Sequence, residues 1–204
     1  MSSEGAHKMT DAPLIVGLGG STGAASVTNL LMQACLDRCA ALGARTLAFG
    51  GDQLSVLPIY GADSDAPTTV SEAIVDAARR ADCLLIATPG YHGGMSGLVK
   101  NALDHLEAMR DDERPYLEGR AVGVIVTAAG WQAAGTTLVS VRSTIHSLRG
   151  WPTPFGVTVN SVEHHQGGDG RLDARVDGAV GILAGQLMEF AGWRAAARTA
   201  GVVV

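Results

Sequence analysis

Apolar residues fall along the chain in two alternating rhythms. Leu14–Leu18, Ala44–Phe49, Cys83–Ala87 and Ala121–Thr127 are short, mostly apolar runs, and Phe155, Val157 and Val159 alternate with other residues. Leu14–Leu18, Cys83–Ala87 and Ala121–Thr127, which have no polar alternation, suit strands buried on both sides of a parallel sheet, and Ala44–Phe49 reads as a further strand. Between them, apolar positions recur at helical spacings. Val27, Leu30, Leu31, Ala34 and Cys35 form one stripe, ending near Gly43. Val70, Ile74 and Ala77 or Ala78 form a second within Thr68–Arg80; Leu98, Ala102, Leu103 and Leu106 a third, with Lys100, Asp104 and Glu107 turned elsewhere. Leu138, Val141, Ile145 and Leu148 give a fourth, and Val176, Val180, Leu183, Leu187 and Phe190 a fifth. These spacings predict helices with one buried face each. Strands alternating with helices through short loops predict an α/β fold. Its form is a doubly wound five-stranded parallel sheet, order 2-1-3-4-5, with helices on both faces.

In such a sheet ligands bind beyond the carboxyl ends of the strands, so the loops after strands one, three and four carry the candidate chemistry. The first, Gly19-Gly20-Ser21-Thr22-Gly23-Ala24-Ala25-Ser26-Val27-Thr28-Asn29, joins a strand to a helix start. Free N–H groups, the helix dipole and several hydroxyls suit a phosphate there. The loop has no Walker lysine and its glycine spacing is not that of a dinucleotide fingerprint. A phosphomonoester fits better. Gly19–Gly23 also satisfies G-x-S-x-G, the nucleophile elbow of serine hydrolases, although almost nothing precedes it to supply the oxyanion strand.

The second loop is Thr88-Pro89-Gly90-Tyr91-His92-Gly93-Gly94-Met95-Ser96-Gly97, with Ser96 as helix N-cap. Pro89 is expected to stop the strand. Gly90, Gly93, Gly94 and Gly97 are expected to take positive φ and admit a flat ligand, with Tyr91 and His92 beside it. The third loop, Thr127-Ala128-Ala129-Gly130-Trp131, is again built of small residues before an aromatic one.

The second loop and the Leu98-Val99-Lys100-Asn101-Ala102-Leu103-Asp104 segment behind it resemble the Pro-x-Tyr loop and Leu-x-Lys-Asn-x-Leu-Asp helix of the NAD(P)H-dependent FMN reductases. The first loop resembles that family's Gly-Ser-x-Arg-x-x-Ser-x-Asn phosphate loop through Gly20, Ser21, Ser26 and, one place late, Asn29, with Gly23 where the family has Arg. The resemblance runs from about Leu14 to Val162. It implies a flavodoxin-like fold, FMN and NADPH or NADH as cofactors, and hydride transfer from nicotinamide to flavin N5. No catalytic side chain is implied. Ser21, Thr22, Ser26, Thr28 and Asn29 would hold the phosphate, and Pro89–Gly94 with Thr127, Ala129, Gly130 and Trp131 would surround the ring. The partners implied are nicotinamide and flavin nucleotides, a flavin-dependent monooxygenase taking reduced FMN, and a second copy of the chain. The homodimer or homotetramer would use Met95 and Val99, since Val99 and Met109 lie off the helix stripe. Alternatives are an FMN-bound quinone, azo or nitro reductase, a flavodoxin-like electron carrier, and the serine hydrolase.

Composition narrows the field. The chain has 204 residues, a formal net charge of −5 and 47% hydrophobic residues, enough for one domain over 12–204 behind a polar 1–11 tail expected to be disordered. An acidic balance without a basic cluster argues against nucleic acid. No apolar run reaches membrane-spanning length and no secretory signal is visible, so a cytoplasmic protein is expected. Cys35, Cys39 and Cys83 fall on buried faces and are expected to be reduced core thiols. His164-His165 and Gly167-Gly168-Asp169-Gly170 form a polar loop without metal-ligand spacing, so no metal is expected.

Overall fold

The computed structural model describes residues 12–23, 25–61, 68–163 and 172–202. The N-terminal tail and the His164–Gly170 loop lie outside them. The described elements are β1 (Leu14–Gly19), α1 (Val27–Ala41), β2 (Arg45–Phe49), α2 (Gly51–Leu54), α3 (Thr69–Arg80), β3 (Cys83–Tyr91), β4 (Gly94–Met95) and α4 (Gly97–Asp104). A 3-10 turn (His105–Met109) follows, then β5 (Ala121–Ala128), α5 (Trp131–Ser147), β6 (Trp151–Pro152), β7 (Val157–Asn160) and α6 (Ala174–Thr199).

The parallel sheet runs β2-β1-β3-β5, and both β6 and β7 pair with β5 as two halves of its last strand. This is the expected order. The break in the last strand follows from Pro152 and Pro154, which have no N–H to give to a ladder. Alternation along each strand divides the core. Leu14, Val16 and Leu18 face α3, α4 and α5, while Ile15 faces α1 and α6. Gly17 shares that second face, and a side chain there would meet Leu36 Cδ1 at 2.9 Å, so α1 lies close against β1.

Three expectations about helices need correction. The buried stripe of α1 is Thr28, Leu31, Met32, Cys35, Leu36 and Cys39; of the expected Val27, Leu30, Leu31, Ala34 and Cys35, Leu31 and Cys35 lie on it, while Val27, Leu30 and Ala34 are only partly buried at its edge. Helix α5 begins at Trp131, seven residues before its first stripe residue Leu138, because the small residues Ala133–Gly135 continue a helix whose inner face there is Ala134 and Thr137. Val99 and Met109 are fully buried inside the single chain, so they are core and not a subunit contact. The helix bearing Val99 packs against both the sheet and the segment at 57–60. Asn101 fixes the latter, its amide donating to Pro58 O at 2.9 Å and accepting from Tyr60 N–H at 2.9 Å.

All three cysteines are buried and unpaired, as expected. Burial pushes the Cys83 thiol up to about 12. Among the described residues no helix is long and apolar enough to cross a membrane, and no cluster of metal-ligating side chains occurs.

Candidate functional site

β1 delivers the chain to Gly20, whose N–H bonds Ala87 O at 2.8 Å and whose missing Cβ makes room for Ser96 and Val99. The next residues leave the sheet as an exposed arc. Ser26 ends it by capping α1, its Oγ accepting from Asn29 N–H at 3.3 Å. The arc is held from below by Asn29, whose amide donates to Ser21 O at 2.9 Å. It is held from the side by Gly51, where a Cβ would stand 2.0 Å from Ser21 O and 2.8 Å from Thr22 N. Among the described residues the N–H groups of Ser21, Thr22 and Gly23 donate to nothing in the chain. A concave backbone with unmet donors, two hydroxyls and a helix start makes a cradle of the kind that suits an anion. The cradle is uncharged, since residues 19–29 include no Lys or Arg. Thr28 is not on its surface: its Oγ1 lies 2.5 Å from Thr127 Oγ1, both buried, tying α1 to the end of β5 beneath the loop.

The second loop is a hairpin. Pro89 does not stop β3; it sits in register with Thr127, and the strand continues to Tyr91. It shares the parity of Ala87, whose carbonyl faces β1, and β1 has already turned away there, so the absent N–H costs no ladder bond. β4 then folds back, Gly90 opposite Met95 and Tyr91 opposite Gly94. The two turn residues are His92, at φ 53°, and Gly93, at φ 81°. That is a two-residue turn of the primed kind, matched to strand twist. Gly90, Gly94 and Gly97 do not take positive φ. Gly90 is small for another reason: a Cβ would meet Thr137 Oγ1 at 2.9 Å on α5. Gly94 faces open space, with only Tyr91 O at 3.8 Å from its Cβ position. Tyr91 and His92 are exposed at the tip.

The third loop is reduced to Ala129 and Gly130, and Trp131 opens α5 half-exposed. Its indole N–H is directed at both Glu163 oxygens at 3.0 Å, and the Asn160 amide donates to Glu163 Oε1 at 2.7 Å. The Glu163–Asn160 support of this third wall, and the brace at Gly51, were not visible as site features in the sequence. Gly50-Gly51 directly after a strand and Asn160 at a strand's carboxyl end were the available signals.

The three walls adjoin one another because their strands do: Gly19 pairs with Ala87 and Pro89 with Thr127. They line a crevice where the connections from β1 diverge to β2 and β3, the switch point of an open sheet. Ser21, Thr22 and Ser26 form one end, the Pro89–Gly94 hairpin the middle, and Ala129–Trp131 the far side. Among the described residues no base is hydrogen-bonded to the Ser21 hydroxyl, so the nucleophile reading has geometry in sequence only. An arc with unmet N–H groups beside a hairpin whose Gly94 faces open space is an arrangement compatible with a flat phosphate-bearing ligand.

The NADPH-dependent FMN reductase family profile matches residues 13–164. An FMN-dependent NADPH-azoreductase of Staphylococcus haemolyticus (strain JCSC1435) is 33% identical over 92 residues, which is 45% of this chain and 45% of that protein. The chain thus matches less than half the length of that curated relative. Among solved structures, an oxidoreductase from Corynebacterium diphtheriae superposes with TM-score 0.73 at 20% identity, over 90% of this chain and 98% of the other. An NADH:FMN oxidoreductase in its apo form superposes with TM-score 0.66 at 22% identity, over 89% and 90%. At those identities the superpositions speak to the fold, which is flavodoxin-like.

Proposed function

The chain belongs to the NADPH-dependent FMN reductase family, and from that premise we propose that it binds FMN in the crevice above β1, β3 and β5 and passes hydride from NADPH or NADH to flavin N5. The observation that carries this reading is the braced arc Ser21–Ser26 with unmet N–H groups, set next to the Pro89–Gly94 hairpin. Bound FMN would supply the redox chemistry, accepting hydride from the nicotinamide and giving electrons onward. The chain's own work is to bind and orient. Ser21, Thr22 and Ser26 take the phosphate through hydroxyls and N–H groups. Gly93 and Gly94 let backbone approach a flat ring, and Tyr91, His92, Gly130 and Trp131 bound it. The Glu163–Asn160 pair holds the indole in place. Thr28 and Thr127 support both walls from beneath.

An uncharged phosphate cradle suits a flavin that exchanges, and this favours delivery of reduced FMN to a flavin-dependent monooxygenase over a permanently held cofactor. The match to an azoreductase favours a second reading, FMN-bound reduction of azo, quinone or nitro compounds. Steady-state NADPH and NADH oxidation separates them. Turnover that requires added free FMN, with saturation in FMN, supports the first. Turnover with an azo dye or quinone and no added FMN supports the second. No oxidation under either condition removes both.

The assembly proposed is a homodimer or homotetramer. Ile59 and Tyr60 lie exposed above α4, the former at 72%, with Met95 and Leu98 half-buried nearby. Exposed apolar groups of this kind suit a subunit contact. Light scattering during gel filtration gives the mass, and a monomer removes the proposal. Three unpaired cysteines suit a cytoplasmic setting.

A further inference from the structure

A second cleft, of about 420 Å³, lies at the amino ends of the strands, where the flavin chemistry does not reach. Arg114, with Glu113 and Glu118, lines it from the loop before β5, and Arg194 and Arg198 line it from the last turns of α6. The eight residues of β5 put about 26 Å between this end of the sheet and the flavin crevice, so the two sites are separate. We infer that this cleft binds a phosphate dianion, free or carried by a small ester, through the guanidiniums of Arg114, Arg194 and Arg198.

The cations converge on one glycine. Arg114 donates from a terminal nitrogen to Gly119 O at 3.4 Å, its Nε is buried without a partner, and among the described residues no carboxylate pairs with it. Arg194 packs on the same residue, a terminal nitrogen standing 2.7 Å from where a Cβ on Gly119 would be, and Gly119 is itself left-handed at φ 68°. Burial, and next the charge of Arg194, hold the Arg114 guanidinium below the ordinary arginine range. Arg198, one turn after Arg194, brings a third positive group to the cleft. Arg120 adds a fourth close by: it is fully buried, donates only to the carbonyls of Tyr116 and Glu118 at 3.1 Å and Arg79 at 2.8 Å, and is brought down to about 10 by burial and then by Arg114.

The carboxylates nearby do not balance this charge. Asp82 serves Arg198 at 3.2 Å with one oxygen and the Leu14 N–H at 2.9 Å with the other. Asp112 is taken by Arg79 at 2.8 Å and Glu118 by Arg149 at 3.3 Å. Glu113 is exposed and, among the described residues, pairs with none of the four arginines. Four guanidiniums are thus left with one inner carboxylate between them. Like charges held together in a partly buried cleft repel one another, and a doubly charged anion relieves that repulsion. Planar guanidiniums suit phosphate in particular, since each can meet two of its oxygens at once. The cleft's volume is within the ordinary range for small-ligand sites, which leaves room for an organic group on the phosphate.

Isothermal titration of the full chain with inorganic phosphate, at an ionic strength held constant with chloride, tests the inference. Arg114→Gln removes a charge that no carboxylate pairs with, and Glu113→Gln removes an exposed negative group from the lining. Gly51→Ala, which disturbs the flavin arc, separates that site from this one. The expected result is saturable phosphate binding by the unaltered chain, kept in Gly51→Ala and at least tenfold weaker in Arg114→Gln. Binding by Glu113→Gln should be roughly twofold tighter or more, the size of an exposed charge interaction. Phosphate should also raise the thermal midpoint of the unaltered chain and not that of Arg114→Gln. Glycerol phosphate, titrated in parallel, identifies the source: tighter binding than inorganic phosphate means a small ester, and equal or weaker binding means the free ion. No saturable binding, equal binding by Arg114→Gln, loss of binding in Gly51→Ala, unchanged or weaker binding by Glu113→Gln, or an equal effect of chloride would overturn it.

Discussion

Gly23→Arg puts back the one charged group that the phosphate arc lacks, and the structure allows its effect to be sized. Gly23 is exposed and outside the left-handed region, and a Cβ there would sit 3.8 Å from Ser21 Oγ and 3.9 Å from Ser26 Cβ, ordinary contact distances. The side chain therefore enters without displacing the arc. A charge-assisted hydrogen bond to phosphate contributes roughly 1.5–3 kcal/mol, which is about 10- to 100-fold in dissociation constant. Exposure and salt place the gain near the lower end, about tenfold at physiological ionic strength and larger in dilute buffer. Fluorescence titration of apoprotein with FMN and with riboflavin reads it. FMN should tighten about tenfold while riboflavin, which has no phosphate, should not change. Equal tightening of both would place the new arginine at the ring, and no change in either would mean that the arc does not hold phosphate.

Gly51→Ala should do the opposite from outside the arc, because its methyl would stand 2.0 Å from Ser21 O and force the backbone to move; FMN affinity should fall at least tenfold in the same titration while riboflavin is less affected. Gly94→Val meets open space in the apoprotein, so its thermal midpoint should stay nearly unchanged while affinity for both flavins drops, and marked early unfolding would mean that the glycine serves the hairpin instead. Cys83 makes stability pH-dependent. Its thiol keeps its proton up to about 12 when folded, against the usual 9.0 when unfolded, so its contribution is complete below pH 9 and declines as pH rises towards 12. At pH 10 the loss should be on the order of 1 kcal/mol relative to low pH. Urea denaturation of Cys83→Ala should show a shallower decline between pH 8 and pH 10 than the unaltered chain, and parallel slopes would refute the assignment.

The sheet order was legible because each strand is a short apolar run and the helices between them have clear periods. The helix cap at Ser96 was equally plain, since a hydroxyl before an apolar stripe has few other roles, whereas Ser26, read as a phosphate contact, also caps its helix. What misled was local chemistry taken without its neighbours. Pro89 reads as a strand breaker, yet the strand it would have offended had already ended. Gly90 and Gly97 read as φ-permissive, yet the left-handed turn residue beside Gly93 is His92. Val99 reads as off-stripe on its own helix, but Gly20 of the first loop packs against it, a contact between residues far apart in sequence. Thr28 and Thr127 read as ligand contacts because they fall in the right loops, and only the fold brings their hydroxyls to each other. The Trp131–Glu163–Asn160 wall depends on a pairing between the ends of neighbouring strands that no spacing announces.

Central to the account is a crevice that places FMN where a nicotinamide can reduce it. Mixing flavin-loaded protein with NADPH, and separately NADH, in an anaerobic stopped-flow cell and following the visible flavin absorbance tests this without reference to any final acceptor. The account predicts bleaching of the bound flavin by at least one nicotinamide, much faster than that of free FMN under the same conditions, and slowed in Gly51→Ala at flavin concentrations that leave the site unfilled. Protein that binds FMN tightly, yet leaves its absorbance unbleached with both nicotinamides, would contradict it.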